Sequence, residues 1–263
     1  MLRKVAYLTA WISIIVYMVI ALGFVSGKTE EVNCQGISVD IVDYDDARFI
    51  NEKDVKQMLD RHKFKYIGQP LEAINTMKAE SLLYRFPSVK TADAFTTIDG
   101  SLNVRIEQRE PMIRVVNKHG QSYYIDMEGY LMPLSEHFSA YTIVANGNIE
   151  EPFRISRNQS IFVTDTLGNP VPNTLSDLYR LTEYINNDNL WKAQFEQIYV
   201  NGDKEYLLIP RVGPHVILFG TIDKMEKKFS KLRSIYKVMN TIGWNKYKLI
   251  NLKYKNQVVC TKR

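Results

Sequence analysis

The sequence lacks the residue patterns that carry most enzyme chemistry. No serine lies in a G-x-S-x-G elbow, and no glycine-rich phosphate loop ends in Gly-Lys-Ser/Thr. Asp126 and Glu128 flank a glycine-containing turn, which a β-hairpin explains better than a cation-binding loop. We therefore expect a protein without enzymatic activity, catalytic residues, a metal site, a cofactor or a small-molecule substrate. The histidines share no metal-ligand spacing; they are His62, His119, His137 and His215.

Charge is missing from the 21 residues that run from Val5 to Val25. At about 1.5 Å per helical residue, such a stretch is roughly 30 Å long, the thickness of the hydrocarbon core of a bilayer. A cleaved secretory signal is the alternative, because Ala21-Leu22-Gly23 resembles a cleavage site. The apolar part of such a signal has only about 7–15 residues, however, so we predict an uncleaved transmembrane helix over residues 5–25.

The charges that flank this stretch predict its orientation. Arg3 and Lys4 precede it, whereas Lys28 follows it and is offset by Glu30 and Glu31. Short positively charged flanks stay in the cytoplasm. We therefore predict a cytoplasmic tail at residues 1–4 and a single-pass type II membrane protein whose bulk lies outside the cytoplasm.

Cysteine is scarce, with only Cys34 and Cys260 at opposite ends of the predicted extracytoplasmic part. In an oxidising compartment the two could form a disulfide if their Cα atoms came within about 7 Å of each other. We favour the alternative of two partly buried thiols that act as small apolar side chains. Nothing around either cysteine indicates an activated thiol, so a cysteine–histidine catalytic pair has no support.

Acidic residues are scarce near the C-terminus. Residues 221–263 hold 12 Lys and Arg residues against only Asp223 and Glu226, a net charge of +10. Such a segment suits anionic lipid or an acidic protein partner, and nucleic acid is not expected outside the cytoplasm. A solvated helix face is the alternative explanation.

The remaining pattern predicts an α+β fold in two domains. After a polar linker at residues 26–34, residues 35–110 have the order β-α-α-β-β, in which two helices can cover one face of a small sheet. The strands are predicted at 37–44, 89–97 and 102–108, with a helix capped by Asn51 and a second helix from Leu71 that Pro87 ends. Asp99-Gly100 is a strong hairpin signal.

Residues 111–263 are rich in strands and contain two main helices. Apolar residues at helical spacing mark one helix near residues 175–185 and a longer one that Thr221 is predicted to cap. No pattern is evident at 133–160, and the chain ends with a predicted alternating strand at 249–259. The other strands are predicted at 112–118, 121–126, 130–132, 195–201, 205–210 and 215–219.

Five segments carry specific local patterns: FPSVKTADAF, GSLNVRIEQREPMIRV, YYIDMEGYLMPL, LLIPRVGPHVILFG and NLKYKNQVV. These segments resemble the FtsQ family of bitopic bacterial cell-division proteins, called DivIB in some bacteria. The resemblance covers about residues 35–132 and 190–259. The sequence departs from the family pattern at Ile98-Asp99-Gly100, where a bulky aromatic residue and a proline are frequent, and at Lys253, where arginine is common.

By this resemblance, residues 35–110 are a POTRA domain and residues 111–263 are the FtsQ-type β domain. The resemblance implies a non-enzymatic divisome scaffold in the inner membrane, with its bulk in the periplasm, which links FtsB- and FtsL-like division proteins at the septum. The resemblance also implies that further divisome members are partners and that the protein influences peptidoglycan synthesis. Partner binding is implied on the last strand, where an incoming strand adds to a sheet edge. The residues concerned are Asn251, Leu252, Lys253, Tyr254, Lys255, Asn256 and Gln257.

Three alternatives compete with this interpretation. The terminal strand could merely complete the sheet. A POTRA-containing translocation or envelope-assembly factor is a second possible function, although such proteins usually contain several modules or a long series of barrel strands. An envelope enzyme is the third, and the sequence contains no catalytic constellation for it.

Overall fold

The structure of the protein is a computed structural model that describes residues 2–29, 32–42, 48–154 and 159–263, with the side chains of residues 10–23 in the first range. The chain divides into two compact units. The N-terminal unit comprises Met1–Tyr44 and Ile50–Glu107, and the C-terminal unit comprises Asp45–Phe49 and Gln108–Arg263.

The first helix, α1 (Leu2–Thr29), includes the predicted transmembrane stretch. Its described side chains are exposed, except that Ala21 is half-buried. Within the described part of the chain, no helix is long and apolar enough to cross a membrane. The transmembrane span at residues 5–25 stays a prediction. The helix continues into the predicted linker as far as Thr29, whereas Glu30, Glu31 and the side chains of Arg3, Lys4 and Lys28 lie outside the described residues.

The N-terminal unit has the predicted β-α-α-β-β order. It consists of β1 (Gly36–Val42), α2 (Glu52–Arg61), α3 (Thr76–Leu83), β2 (Val89–Thr97) and β3 (Ser101–Gln108). The sheet has the strand order β1-β3-β2, and β1 runs parallel to β3. Apolar residues of the helices and of β3 form the core; among them are Val55, Leu59, Ala79, Leu82, Leu83, Leu102, Val104 and Ile106.

Two asparagines set where the helices of this unit begin. Asn51 Oδ1 accepts a hydrogen bond from the Asp54 backbone at 2.9 Å, and the Asp54 carboxylate accepts one from the Asn51 backbone at 3.0 Å. This capping box confirms the predicted start of α2. The second helix begins later than predicted, because Asn75 caps it through the Lys78 N–H at 2.9 Å. Leu71 instead begins a short 3₁₀ turn, Leu71–Ala73.

The C-terminal unit is built on a nine-stranded mixed sheet with the order β14-β13-β12-β11-β10-β7-β4-β5-β6. Its first strands are β4 (Pro111–Val116), β5 (Ser122–Asp126), β6 (Leu131–Met132) and β7 (Ile143–Gly147). A small hairpin of β8 (Val163–Thr164) and β9 (Pro170–Val171) precedes α4 (Thr174–Asn186) and α5 (Asn189–Gln194). The rest comprises β10 (Phe195–Val200), β11 (Tyr206–Pro210), β12 (Val216–Gly220), α6 (Met225–Ile242), β13 (Tyr247–Asn251) and β14 (Val259–Lys262).

The core of this unit lies between the sheet and its helices. Trp191 of α5 is nearly fully buried and its ring packs on Phe195, Phe229 and Tyr236 at centroid distances of 5.7, 5.3 and 5.6 Å. Such aromatic clusters bury large apolar areas and contribute strongly to core stability. The two predicted main helices are confirmed as α4 and α6, and α5 is an additional short helix.

Two predictions in this unit differ from the structure. Thr221 does not cap α6: its hydroxyl donates to Asp223 at 2.9 Å, and the helix begins at Met225 after Lys224, whose φ is 54°. The stretch 133–160, which shows no pattern in the sequence, contains β7, and β7 lies between β4 and β10. Gly147 ends β7 with a φ of 103°, and a Cβ there would lie 2.2 Å from the Val200 carbonyl oxygen. This close approach explains why a glycine interrupts the strand pattern.

The two cysteines are free thiols, as we expected. Cys34 is buried in the N-terminal unit, and Cys260 is half-buried in β14. Burial raises the pKa of the Cys260 thiol, so this thiol is not an activated nucleophile.

Candidate partner-binding surface

The residues predicted to bind partners lie at one end of the nine-stranded sheet, but they do not form one strand. Asn251 is the last residue of β13, and the other six belong to the connection between β13 and β14, residues 252–258, which we call the turn segment. The prediction of one continuous strand at 249–259 is therefore wrong, because only residues 249–251 and Val259 of this range are in strands. β13 pairs with β12 on one side and antiparallel with β14 on the other, so β14 is the strand at the sheet edge.

Leu252 belongs to the core. Its side chain is fully buried, and its backbone N–H donates to the Leu218 carbonyl oxygen at 3.0 Å. Leu252 turns inward because its apolar side chain is worth about 1.5–3 kcal/mol when buried rather than exposed. Although we predicted it as a partner-binding residue, its side chain is not accessible to a partner. Like Ile250 two positions earlier, Leu252 is buried; β13 itself ends at Asn251, whose Oδ1 accepts the backbone N–H of Lys253 at 3.0 Å.

Lys253 forms an ion pair within its own unit. Its Nζ lies 2.5 Å from Glu205 Oε1, and only 16% of the Glu205 side chain is exposed. Asn201 holds Glu205 in place, since the Glu205 N–H donates to Asn201 Oδ1 at 2.8 Å. The hydrogen bond with Lys253 lowers the pKa of Glu205, and the same contact raises the pKa of Lys253.

Two lysines of α6 also bind backbone carbonyls close to the turn segment. Lys231 Nζ donates to the carbonyl oxygens of Leu252 at 3.1 Å and of Tyr254 at 2.6 Å, and desolvation lowers its pKa. Lys228 is buried; its Nζ donates to the Thr221 carbonyl oxygen at 2.7 Å. Part of the lysine-rich face of α6 is thus used inside the unit rather than being a fully solvated surface.

Five predicted residues are exposed on the turn segment, next to the sheet edge, and one of them, Lys253, is paired with Glu205. The ring of Tyr254 is 48% exposed, and Lys255, Asn256 and Gln257 follow it. In β14, Val259, Thr261 and Lys262 are exposed. Among the described strands, β14 pairs only with β13, so the backbone groups on its outer side are available to an added strand. The candidate surface therefore consists of β14 and the exposed part of the turn segment.

The acidic turn at Asp126 and the buried histidine have structural roles. Asp126 Oδ2 accepts a hydrogen bond from the buried Arg109 at 2.8 Å. His215 Nε2 lies 3.2 Å from the Tyr236 hydroxyl inside the core. Within the described residues, no group of three His, Cys, Asp or Glu side chains is placed to hold a metal ion.

The fold joins a small β-α-α-β-β unit to a larger mixed sheet whose C-terminal strand is exposed, and sequence comparison agrees with this division. Residues 32–107 match the POTRA-like domain family, and residues 110–261 match the FtsQ/DivIB C-terminal related family. Because the second match covers more than half of the 263 residues, the chain belongs to the FtsQ/DivIB C-terminal related family. None of the curated proteins matches the chain.

These matches confirm the resemblance inferred from the sequence. Membership in this family indicates a role in cell division, and proteins of the family are generally not enzymes. The POTRA-like match agrees with the strand order and helices of the N-terminal unit.

Proposed function

We propose that this protein is a non-enzymatic scaffold of the divisome that recruits and links FtsB- and FtsL-like division proteins at the septum. The observation that carries the proposal is the exposed edge of β14 beside the turn segment, in the unit that matches the FtsQ/DivIB family. An edge strand with free backbone groups is a template for the addition of a partner strand. In this mode the backbone supplies much of the affinity, and the neighbouring side chains select the partner.

Tyr254 is the side chain best suited to be an anchor of this interface. It presents a rigid aromatic body with a polar tip, a residue type that is frequent among binding hot spots. Its exposed position on the turn segment, close in sequence to β14, makes the ring accessible to a strand that pairs with this edge.

We also propose that α1 anchors the protein in the inner membrane with its N-terminus in the cytoplasm. The support is the uncharged sequence from Val5 to Val25 and the exposed apolar side chains of α1, such as Trp11, Ile14 and Val19. A continuous exposed apolar surface along a helix is unusual in contact with water. A reporter enzyme that is active only outside the cytoplasm, fused after Arg263, should be active, and the full-length protein should resist extraction from membranes by alkaline wash. Release of a shortened soluble form would contradict the anchor.

The scaffold proposal is tested by capture from dividing cells. The full-length chain is purified with its membrane partners in mild detergent, and the partners are identified and quantified by mass spectrometry. Tyr254→Ala should lower the recovery of division proteins, because loss of a central hot spot costs about 2 kcal/mol or more. Tyr199→Ala is the matched control, since Tyr199 is 41% exposed on β10. Equal recovery with the two variants would show that the interface lies elsewhere.

The second candidate is a translocation or envelope-assembly factor, which the POTRA-like match of the N-terminal unit favours. The same experiment separates the two functions. Recovery of division proteins supports the scaffold, whereas recovery of translocation or outer-membrane assembly proteins in their place supports the second candidate.

A further inference from the structure

We propose that Lys231 and Lys253 act as a clamp that holds the turn segment in its binding conformation, and that Lys255 is the cation presented to an acidic partner strand. This inference rests on the proposed function, because it assigns roles within the same surface. Its new content is that Lys253, the residue at the family's arginine position, affects partner binding through Glu205 and not through contact with the partner.

The first part of the clamp is the Lys253–Glu205 ion pair. Glu205 is held by Asn201 at the start of β11 and is mostly shielded from solvent, so it forms a fixed anchor for the lysine. The stem of Lys253 lies along the backbone of Gly220, where a Cβ would come within 3.0 Å of Lys253 Cγ. Gly220 has a φ of 76°, which favours glycine there. Lys253 is thus directed back toward β11 and β12 and away from an incoming strand.

The second part of the clamp is Lys231. Its ammonium group binds the carbonyl oxygens of Leu252 and Tyr254, one on each side of Lys253. A lysine ammonium has three donors and can satisfy several carbonyl groups at once. Because both carbonyls are bound to α6 through Lys231, the backbone of residues 252–254 is restrained, and the Tyr254 side chain is exposed beside it.

A direct contact of Lys253 with a partner would oppose this arrangement. The lysine would have to leave Glu205, whose partly shielded carboxylate would then lose the cation that lowers its pKa. Lys255 has no such constraint, because it is exposed and forms no ion pair among the described residues. An acidic side chain of the added strand would therefore pair with Lys255, next to Tyr254.

A charge exchange distinguishes a clamp from a direct contact. Lys253→Glu places two carboxylates against each other, so it should lower the recovery of division proteins about tenfold and increase amide hydrogen exchange in residues 252–258. The exchanged pair, Lys253→Glu with Glu205→Lys, restores opposite charges and should return both measurements to near the wild-type values. Restored protection without restored recovery would overturn the proposal, because it would mean that Lys253 contacts the partner directly.

Further variants test the other two lysines in the full-length protein. Lys231→Met should increase hydrogen exchange in residues 252–258 and lower recovery, whereas Lys237→Met, an exposed lysine of the same helix, should change neither. Unchanged exchange with Lys231→Met would refute the clamp. Lys255→Glu should lower the recovery of division proteins and make that recovery less dependent on salt, without increasing hydrogen exchange in residues 252–258. Unchanged recovery would refute the role of Lys255 as the presented cation.

These outcomes separate this inference from the proposed function. If the wild-type chain recovers no division proteins, the scaffold proposal fails, and the exchange measurements still decide whether the lysines hold the turn segment. If Tyr254→Ala lowers recovery but the charge-exchanged pair does not regain it, the scaffold proposal stands and the clamp interpretation of Lys253 fails.

Discussion

Breaking the buried ion pair between Arg109 and Asp126 is expected to be among the more costly single changes in the C-terminal unit. The two side chains are 7% and 2% exposed, and the Arg109 guanidinium also lies 4.3 Å from the centre of the Tyr130 ring. Asp126 has a second role, because its Oδ1 accepts the backbone N–H groups of Glu128 at 2.9 Å and of Tyr130 at 2.7 Å. Asp126→Asn can keep the two turn hydrogen bonds while removing the negative charge that forms the ion pair with Arg109.

The chain contains a matched control for this substitution. Asp165 forms the same turn in the small β8–β9 hairpin, where its Oδ1 accepts the N–H groups of Leu167 at 2.8 Å and of Asn169 at 2.9 Å. These backbone hydrogen bonds lower the pKa of Asp165. Asp165 is exposed and has no cationic partner among the described residues, so Asp165→Asn tests the turn without a buried charge.

The expected magnitude follows from burial. Removing one member of a buried ion pair costs about 3–5 kcal/mol, because the other charge is left in a poorly solvated position. Glu128 lies 3.5 Å from Arg109 and is 47% exposed, so it offsets part of this loss. We therefore expect the lower end, about 3 kcal/mol for Asp126→Asn, against about 0.5 kcal/mol or less for Asp165→Asn. For a unit of this size, the first value corresponds to a fall in Tm of roughly 6–12 °C.

The assay is thermal unfolding of the purified full-length chain, followed by tryptophan fluorescence, since Trp191 and Trp244 lie in this unit. A double variant, Arg109→Met with Asp126→Asn, should regain part of the lost stability, because the positive charge of Arg109 is then no longer buried. Equal losses of Tm in Asp126→Asn and Asp165→Asn would refute the reasoning and show that the turn hydrogen bonds alone account for the effect.

Three further predictions concern the two cores. Val104→Asp places a carboxylate on the buried face of β3 and should lower the free energy of unfolding of the N-terminal unit by several kcal/mol. Arg105→Ala, on the exposed face, should change little, and hydrogen exchange of this unit compares the two variants. Burial lowers the pKa of His215 from 6.5 to about 4, so the unfolded state binds a proton that the folded state does not. The free energy of unfolding should therefore fall as the pH drops below about 6.5 and level off below about 4, and denaturant titrations of His215→Phe at several pH values should lack this component. Trp191→Ala should destabilise the C-terminal unit by about 3–5 kcal/mol in the same titrations, and a loss below about 1 kcal/mol would contradict the packing of α5.

Local chemistry made a large part of the fold predictable from the sequence. Asn51 and Asp54 define the start of α2 through contacts within one helical turn, and Asp99-Gly100 defines a hairpin because few residues other than glycine favour its backbone conformation. The helical spacing of apolar residues likewise predicts α4 and the body of α6. The family resemblance also depended on local segments, and the match over residues 110–261 confirms it.

Tertiary contacts decided the strand order and the shape of the candidate surface. The five residues of β7 carry too little pattern to be recognised, and β7 is a strand because β4 and β10 supply its hydrogen bonds. The predicted terminal strand divides after Asn251, and residues 252–258 connect β13 to β14. The role of Lys253 depends on Glu205, 48 positions earlier in the chain, and no local periodicity relates the two. The sequence by itself thus determined which residues lie near the C-terminal edge of the protein's larger unit. The fold alone determined which of these residues form contacts inside the unit, since such pairing depends on distance in space.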